Sequence, residues 1–324
     1  MYESFRSHCL QDYPEYELLF GVADPNDPAV DLVERLRQEF PQCTIKLIRC
    51  DKQHGANGKV SALVQLTAAA KHEIFLVNDS DIRVEPDYLR TVSTELQEKN
   101  VGLVTCLYRG IPTRTISSRI EALGISTDFS AGVLAAQLIE GGVHFGLGST
   151  LAFRRSELEA IGGFNAIVDY LADDYELGNR IADRGARVIL SRKVVETFLP
   201  AYDLTGFLRH QLRWARTVRA SRPGGYAGLL FTFTLPWAIL CAVLAGGATW
   251  ALALLVAAVS TRILAALVGG ILALRDREVL RSLWLLPLRD VLALAVWAGG
   301  VFGRKITWRG ETFELKNGKL NRVE

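Results

Sequence analysis

Ile74-Phe75-Leu76-Val77-Asn78-Asp79-Ser80-Asp81 is the stretch that decides the fold. Four consecutive apolar residues read as a buried strand. The two carboxylates at its exit fall at the strand's C-terminal end, the edge at which open α/β sheets bind ligands. A hard divalent cation takes oxygen ligands from one or two carboxylates and from substrate phosphates, so Asp79 and Asp81 suit a metal-bridged nucleotide diphosphate. Taken alone, the same residues would also serve as an acidic turn that ends a strand.

Outward from this stretch, strand and helix signals alternate. Residues 16–22 read as a strand that stops at Asp24-Pro25-Asn26-Asp27-Pro28. Pro28 and the spacing of Val30, Leu32, Val33 and Leu36 then mark a helix. Residues 44–49 form a second strand, Gly55-Ala56-Asn57-Gly58-Lys59 opens a helix over 60–70, and 102–108 and 187–191 are further strands. This order predicts an α/β domain with a largely parallel sheet and helices on both faces.

The 324 residues suffice for one large domain or two modest ones. Up to about Arg222 the charges are mixed and the apolar runs short; from Ala227 onward Leu, Ala, Val and Gly dominate. The net charge of +2 carries no nucleic-acid signature, and no basic strip interleaved with aromatics is present. The five cysteines form no CxxC pair and no metal-ligand spacing, a pattern of reduced thiols facing the cytoplasm. Met1 to Cys9 carries no apolar signal segment.

Residues 227–245 are uncharged, and 250–274 are interrupted by Arg262 alone. Each matches the ~20 residues that cross a hydrocarbon core. Arg209, Arg213, Arg216, Arg219 and Arg222 precede the first span, and Arg275, Arg277 and Arg281 follow the second, which predicts a multi-pass membrane protein whose α/β domain faces the cytoplasm. Residues 283–303 are broken by Arg289 and Asp290 and read as a re-entrant or interfacial segment, with a third crossing as the alternative. Such a pair at membrane depth is costly unless paired or wetted, and suits the wall of a lipid pocket. Residues 307–313 alternate around Gly310 like a small hairpin. The expected division is therefore a catalytic domain at 1–202, an interfacial amphipathic helix at 203–225, a membrane region at 226–303 and a cytoplasmic tail at 304–324.

Several positions carry chemistry or a plainer role. Asp27 is placed to meet a nucleobase or ribose, or to cap the helix behind it. Lys59 follows a Gly-rich turn into a helix, where backbone N–H groups and a cation meet phosphate; a surface turn would look the same. Asp173 and Asp174 open a helix marked by Leu177 and Ile181, so they either favour its dipole or supply a general base. Gly146-Leu147-Gly148-Ser149-Thr150 reads as a tight turn that brings backbone close to a ligand. Residues 204–218 read as a helix lying in the membrane interface. Within it, the Arg213 fork suits either a leaving diphosphate or a lipid headgroup.

The set Asp27, Asp79-Ser80-Asp81, Asp174 and Arg213-Trp214, ahead of membrane segments, resembles the D, DxD, D, (Q/R)xxRW series of membrane-bound family 2-type glycosyltransferases. Tyr13-Pro14-Glu15-Tyr16-Glu17, Asp24-Pro25-Asn26-Asp27-Pro28-Ala29, His54-Gly55-Ala56-Asn57-Gly58-Lys59, Asp79-Ser80-Asp81-Ile82-Arg83-Val84, Gly102-Leu103-Val104-Thr105 and Ala172-Asp173-Asp174-Tyr175 are similar to ceramide glucosyltransferases, and most similar to the bacterial hopanoid-associated branch. The resemblance implies a GT-A domain that uses a UDP-sugar, Mg²⁺ or Mn²⁺ and a membrane lipid acceptor. It implies that Asp27, with Asp24 beside it, contacts uridine, that Lys59 lies beside the nucleotide, and that Asp79 holds the ribose or metal region. Asp81 is then the metal ligand, and Asp174 the base that activates the lipid hydroxyl with inversion. Arg213 and Trp214 close the site, Arg213 stabilising the departing UDP. His210 stands where that family has Gln or Arg. Relatives begin earlier, with a membrane helix and a strand central to the sheet, so the expectation is a chain lacking that strand. The alternatives are a non-catalytic nucleotide-sugar-binding protein and a polysaccharide synthase.

Overall fold

The structure, a computed structural model, describes residues 1–308 and 311–322. Strands β1 (Glu17–Val22) and β2 (Thr44–Arg49) pair in parallel, with Leu18 opposite Ile45 and Phe20 opposite Leu47. Helices Tyr2–Cys9 and Ala29–Glu39 cover this pair through Phe5, Val33, Leu36 and Phe40, which are buried because the apolar stripe of each amphipathic helix has this sheet to face. Strands β3 (Ile74–Val77), β4 (Ile82–Arg83), β5 (Val101–Ile111), β6 (Leu151–Arg154) and β7 (Arg187–Phe198) form a second sheet in the order β3-β6-β5-β7-β4.

The expectation of a largely parallel sheet is corrected here. In the five-stranded sheet β5 and β7 run parallel, whereas β3·β6, β5·β6 and β4·β7 are antiparallel. The cause is topological. After β5 the chain leaves through a long helix and returns at the edge where β3 and β5 end, so β6 starts there and runs back, with Leu151 opposite Val77. An antiparallel neighbour needs no crossover helix. The Thr105 hydroxyl fixes this return, accepting from the Leu147 amide at 2.9 Å and donating to the Thr150 carbonyl at 2.7 Å. Strand β4 folds back directly from Asp79-Ser80-Asp81. Among the described residues β1 pairs with β2 alone and β3 with β6 alone, and both strands line one cavity of about 2310 Å³.

Helix Leu204–Ser221 follows β7, its first turn capped by the Asp203 carboxylate, which accepts from the Gly206 amide at 2.6 Å. Thr249–Ala273 is long and apolar enough to cross a membrane. Pro223–Thr232 and Thr234–Leu244 pass that test as a pair, bent by 49°, so the first expected span is broken at Phe233. Helix Ile116–Ile139 also has the length and composition of a span, and the sequence reading did not anticipate it. Leu286–Val301, in the segment broken by Arg289 and Asp290, is a helix of 16 residues.

The tail forms more than a hairpin. Strands β8 (Lys305–Trp308), β9 (Glu311–Lys316) and β10 (Lys319–Arg322) make an antiparallel sheet, while Arg309 and Gly310 of the expected turn lie outside the described residues. This sheet packs Ile306, Phe313, Leu315 and Leu320 on Leu171, just ahead of Asp173.

Candidate active site

The site is assembled at the C-terminal ends of β3 and β5, where Asp79 leaves β3. Asn57 is the N-cap of helix Gly58–Ala69: its Oδ1 accepts from the Lys59 amide at 3.0 Å and the Val60 amide at 3.2 Å. Its Nδ2 donates to the Tyr170 carbonyl at 2.7 Å, so one buried side chain starts the helix and ties it to the loop before Asp173. Lys59 is thereby aimed inward. Its Nζ lies 2.8 Å from Asp79 Oδ1 and 3.1 Å from Asp173 Oδ2. Burial works against the Lys59 charge, but Asp173, Asp79 and Asp174 outweigh it and raise its pKa above the ordinary lysine value.

The Gly146–Thr150 turn lies between the two acidic motifs. The Gly148 amide donates to Asp174 Oδ2 at 2.7 Å, and the Gly148 carbonyl accepts from the Asp79 amide at 3.3 Å. A Cβ on Gly148 would sit 2.8 Å from Asp79 Oδ2 and 3.3 Å from Asp174 Oδ2, so the close approach of this backbone to both carboxylates requires glycine. Asp174 is half-buried. Burial, then the neighbouring Asp173, push its carboxyl up to about 6, with Lys59 and the Tyr175 amide opposing. Burial and then Asp79 also raise Asp81, against a hydrogen bond from Thr197. Tyr108 on β5 is pushed well above the ordinary phenol by burial, and the charges of Asp174, Asp79, Glu121 and Asp81 add to the effect.

Arg213 reaches the same cavity from helix Leu204–Ser221. Burial lowers its pKa, while Tyr202, Glu121 and Asp79 pull it back up. Its Nη2 donates to His210 Nδ1 at 3.3 Å, and His210 Nε2 lies 3.2 Å from Glu121 Oε1. An imidazole accepts at Nδ1 only when its proton is on Nε2, the nitrogen facing Glu121. His210 thus stands between Arg213, which it contacts through Nδ1, and the buried Glu121 carboxylate, which its Nε2 faces without an aligned hydrogen bond. Trp214 packs against His210 at 5.1 Å and Phe129 at 6.2 Å between ring centroids.

Lys59, Asp79, Asp173, Asp174 and Gly148 thus come together by contact, and Asp81, Arg213 and Trp214 line the same cavity. Asp24 and Asp27 line it too but are engaged in their own turn. Asp24 Oδ1 accepts from the Asn26 amide at 2.8 Å, and Asp27 Oδ1 from the Ala29 amide at 2.8 Å, two side-chain contacts that hold the turn ahead of the helix. Sequence reasoning missed Asn57 as an organiser and Asp173 as a partner of Lys59; for Asn57 the signal was present, an Asn-Gly pair before an apolar helix. Among the described residues no three His, Cys, Asp or Glu side chains form a metal-binding group. Asp79, whose Oδ1 faces Lys59, and Asp81 are carboxylates of the kind a hard cation takes beside diphosphate and water oxygens.

Residues 1–321 match the model of glycosyl transferase family 21, and the chain belongs to that family. It is 25% identical over 224 residues to ceramide glucosyltransferase 3 of Caenorhabditis elegans, covering 69% of this chain and 48% of that protein. Over 78 residues it is 31% identical to the ceramide glucosyltransferase of Komagataella phaffii, covering 23% of this chain and 15% of that protein. The chain spans about half the length of the first of these relatives and less of the second. Among solved structures, the mannosyltransferase PcManGT from Pyrobaculum calidifontis, in complex with GDP-Man and Mn²⁺, superposes with a TM-score of 0.54 at 22% identity, covering 92% of this chain and 81% of that one. The fold is GT-A.

Proposed function

We propose that this chain moves a hexose or N-acetylhexosamine from a UDP-sugar to the hydroxyl of a membrane lipid, of ceramide or hopanoid-polyol type, with inversion. The observation that carries the reading is Asp174. It is a half-buried carboxylate with a pKa of about 6, beside the Lys59–Asp79 pair, in a cavity that continues to the membrane helices. A base with a pKa near the working pH is what deprotonation of an alcohol in flight needs. Asp174 takes the proton of the lipid hydroxyl as its oxygen bonds to the anomeric carbon. The bond from that carbon to the β-phosphate oxygen breaks, and UDP leaves with the electron pair. Lys59 and Arg213 offset the charge that develops on the diphosphate. Asp24 and Asp27 sit at the nucleoside end, their turn presenting backbone and carboxylate to uridine. Asp79 and Asp81 would hold Mg²⁺ or Mn²⁺, whose part is to neutralise diphosphate charge. The relatives' names favour a sphingolipid-type acceptor, and the arginines flanking the membrane segments favour a cytoplasmic site.

The test is incubation of the full chain in lipid nanodiscs with UDP-glucose or UDP-N-acetylglucosamine, ceramide or a hopane polyol, and Mn²⁺. A β-linked glycolipid is expected from an α-linked donor, and EDTA should abolish it. Binding of UDP with no glycolipid from any donor would overturn the reading in favour of a nucleotide-sugar-binding protein.

A further inference from the structure

Helix Ile116–Ile139 contains a π-turn at Ile125–Phe129. Such turns are rare and are frequently found at functional sites. Here the turn presents Thr127 and Asp128 to two apolar helices, each of which carries charge. Arg262, from Thr249–Ala266, forks onto Asp290 (Nε to Oδ1 at 3.1 Å and to Oδ2 at 3.0 Å). Its Nη2 donates to Asp128 Oδ1 at 2.5 Å and to Thr127 Oγ1 at 3.3 Å. Arg289 Nε lies 3.1 Å from Asp128 Oδ2, but the two are misaligned, and both atoms are buried without a hydrogen bond among the described residues. Buried polar atoms left unpaired are rare and call for a ligand or a strain to account for them.

These four charged residues line the same cavity as Asp174. Phe129, next to Asp128, has its ring 5.1 Å from that of Tyr108, which feels the charge of Asp174. The cluster and Asp174 thus share one cavity, with the Phe129–Tyr108 ring pair beside both. Charge inside apolar helices is expensive, and apolar packing would hold these helices together at least as well. The balance of charge is also telling. Two guanidinium groups face two carboxylates, which leaves no surplus cation for a lipid phosphate. An uncharged head with both a hydrogen-bond donor and an acceptor can insert between Asp128 Oδ2 and Arg289 Nε, which face each other as an ion pair without an aligned hydrogen bond.

We propose that Asp128, Arg262, Arg289 and Asp290 form the subsite that reads the acceptor's head: a neutral lipid with a hydroxyl or amide on the carbon next to the one that bears the reacting hydroxyl. The proposal rests on the transferase reading for the identity of the bound lipid. An N-acylated amino alcohol and a polyol lipid share this chemistry, and the acceptor series below separates them.

Two measurements on the full chain in nanodiscs test it. In the first, steady-state kinetics with N-acylsphingosine, a hopane polyol, diacylglycerol and a polyprenyl phosphate are compared for the parent, Asp128→Asn and Arg289→Gln. The expected result is an acceptor KM raised at least tenfold in both variants, a donor KM within threefold, and a parent that rejects the lipid phosphate. An acceptor KM within twofold of the parent in both variants, with only the melting temperature lowered, would show that the cluster is structural and overturn the proposal. So would preference for the lipid phosphate. In the second, N-acylsphingosine and a hopane polyol with a diazirine beside the head are photolysed without donor. Labelling of Ile116–Ile139 or Leu286–Val301 that is lost in both variants supports the subsite even if no turnover occurs, which would sink the transferase reading alone. Turnover without such labelling would sink the subsite alone.

Discussion

Replacing Asp174 by Asn should slow sugar transfer and, at the same time, stabilise the ligand-free protein. Positioned general bases contribute about 10²–10⁴-fold in rate, so the variant should lose turnover within that range while it still binds UDP. The stability change follows from the carboxyl's pKa of about 6 against an ordinary 3.8. Because the folded value is raised, ionisation is harder in the folded state than in the unfolded one. The penalty is absent below 3.8, grows through the window from 3.8 to about 6, and is complete above it. Two units correspond to roughly 3 kcal/mol. Asn can replace one acceptor oxygen but not both, and Asp174 accepts from the Gly148 and Tyr175 amides. Losing one such bond costs about 1–1.5 kcal/mol, which leaves a net gain of about 1–2 kcal/mol at pH 8 and none at pH 4. Thermal unfolding in detergent at the two pH values reads this directly. In the parent, kcat should fall about tenfold per pH unit below 6, as expected for one essential base. A variant that keeps more than a tenth of the parent rate, or a parent acid limb displaced from 6, would refute the assignment.

Three further outcomes follow from the same contacts. Lys59→Met leaves Asp79, Asp173 and Asp174 without their shared cation. Lys59's raised pKa means its stabilisation is fully present at neutral pH, so the variant should lose about 2–4 kcal/mol at pH 8 by denaturant titration and regain part of it as the carboxylates protonate below about 6. Gly148→Ala pushes a methyl to within 2.8 Å of Asp79 Oδ2. That carboxylate can swing away, so the melting temperature should change little while kcat/KM for the donor drops tenfold or more. Arg213→Lys keeps the charge but loses the fork that contacts His210. A fall in kcat of about 10–100-fold with a near-parent donor KM is expected if the guanidinium acts on the departing diphosphate.

Where the chain's local chemistry and its tertiary setting agree, the sequence was readable. Thr44–Arg49 and Leu204–Ser221 begin where the pattern places them, because an apolar run or an Asp cap marks the boundary independently of anything distant. The gathering of Lys59, Asp79 and Asp174 was legible for a similar reason: each sits at an element's end. Strand β6 was not. Leu151-Ala152-Phe153 is too short to show a period, and its antiparallel direction depends on where the preceding helix returns the chain. Helix Ile116–Ile139 was hidden by Arg119, Glu121 and Asp128, charges that read as surface until the Arg281 carbonyl, His210 and Arg262 are found opposite them. The local role of Asp27 was open from position alone; its Oδ1 accepts from the Ala29 amide within the turn ahead of the helix, whose N-cap is Pro28.

The tail illustrates how far a site's geometry depends on residues remote from it. The loop before Asp173 is gripped on two sides. On one, Asp169 Oδ1 accepts from the Ala56 amide at 2.9 Å and the Val168 carbonyl from the Asn57 amide at 2.8 Å, which fixes the turn carrying Lys59. On the other, the Leu171 amide donates to the Gly318 carbonyl at 3.1 Å and the Leu320 amide to the Asp169 carbonyl at 2.8 Å. Phe313, 2% exposed, and Leu320, 4% exposed, bury Leu171 from outside. The tail takes no part in the contacts among Lys59, Asp79, Asp173 and Asp174, yet removing its grip frees the segment that delivers Asp173 to Lys59 and Asp174 to Gly148. Phe313→Ala should cost about 3–5 kcal/mol in the stability of this small sheet, and removing residues 304–324 should abolish the sheet altogether. The expected result is a loss of kcat of tenfold or more in both variants, with the membrane helices still assembled by circular dichroism. Displacements of about 1 Å around a reacting group are worth on that order in rate. If the truncated chain turned over at the parent rate, the loop would owe its position to Asn57 and Asp169 alone, and the tail would be a solubilising appendage.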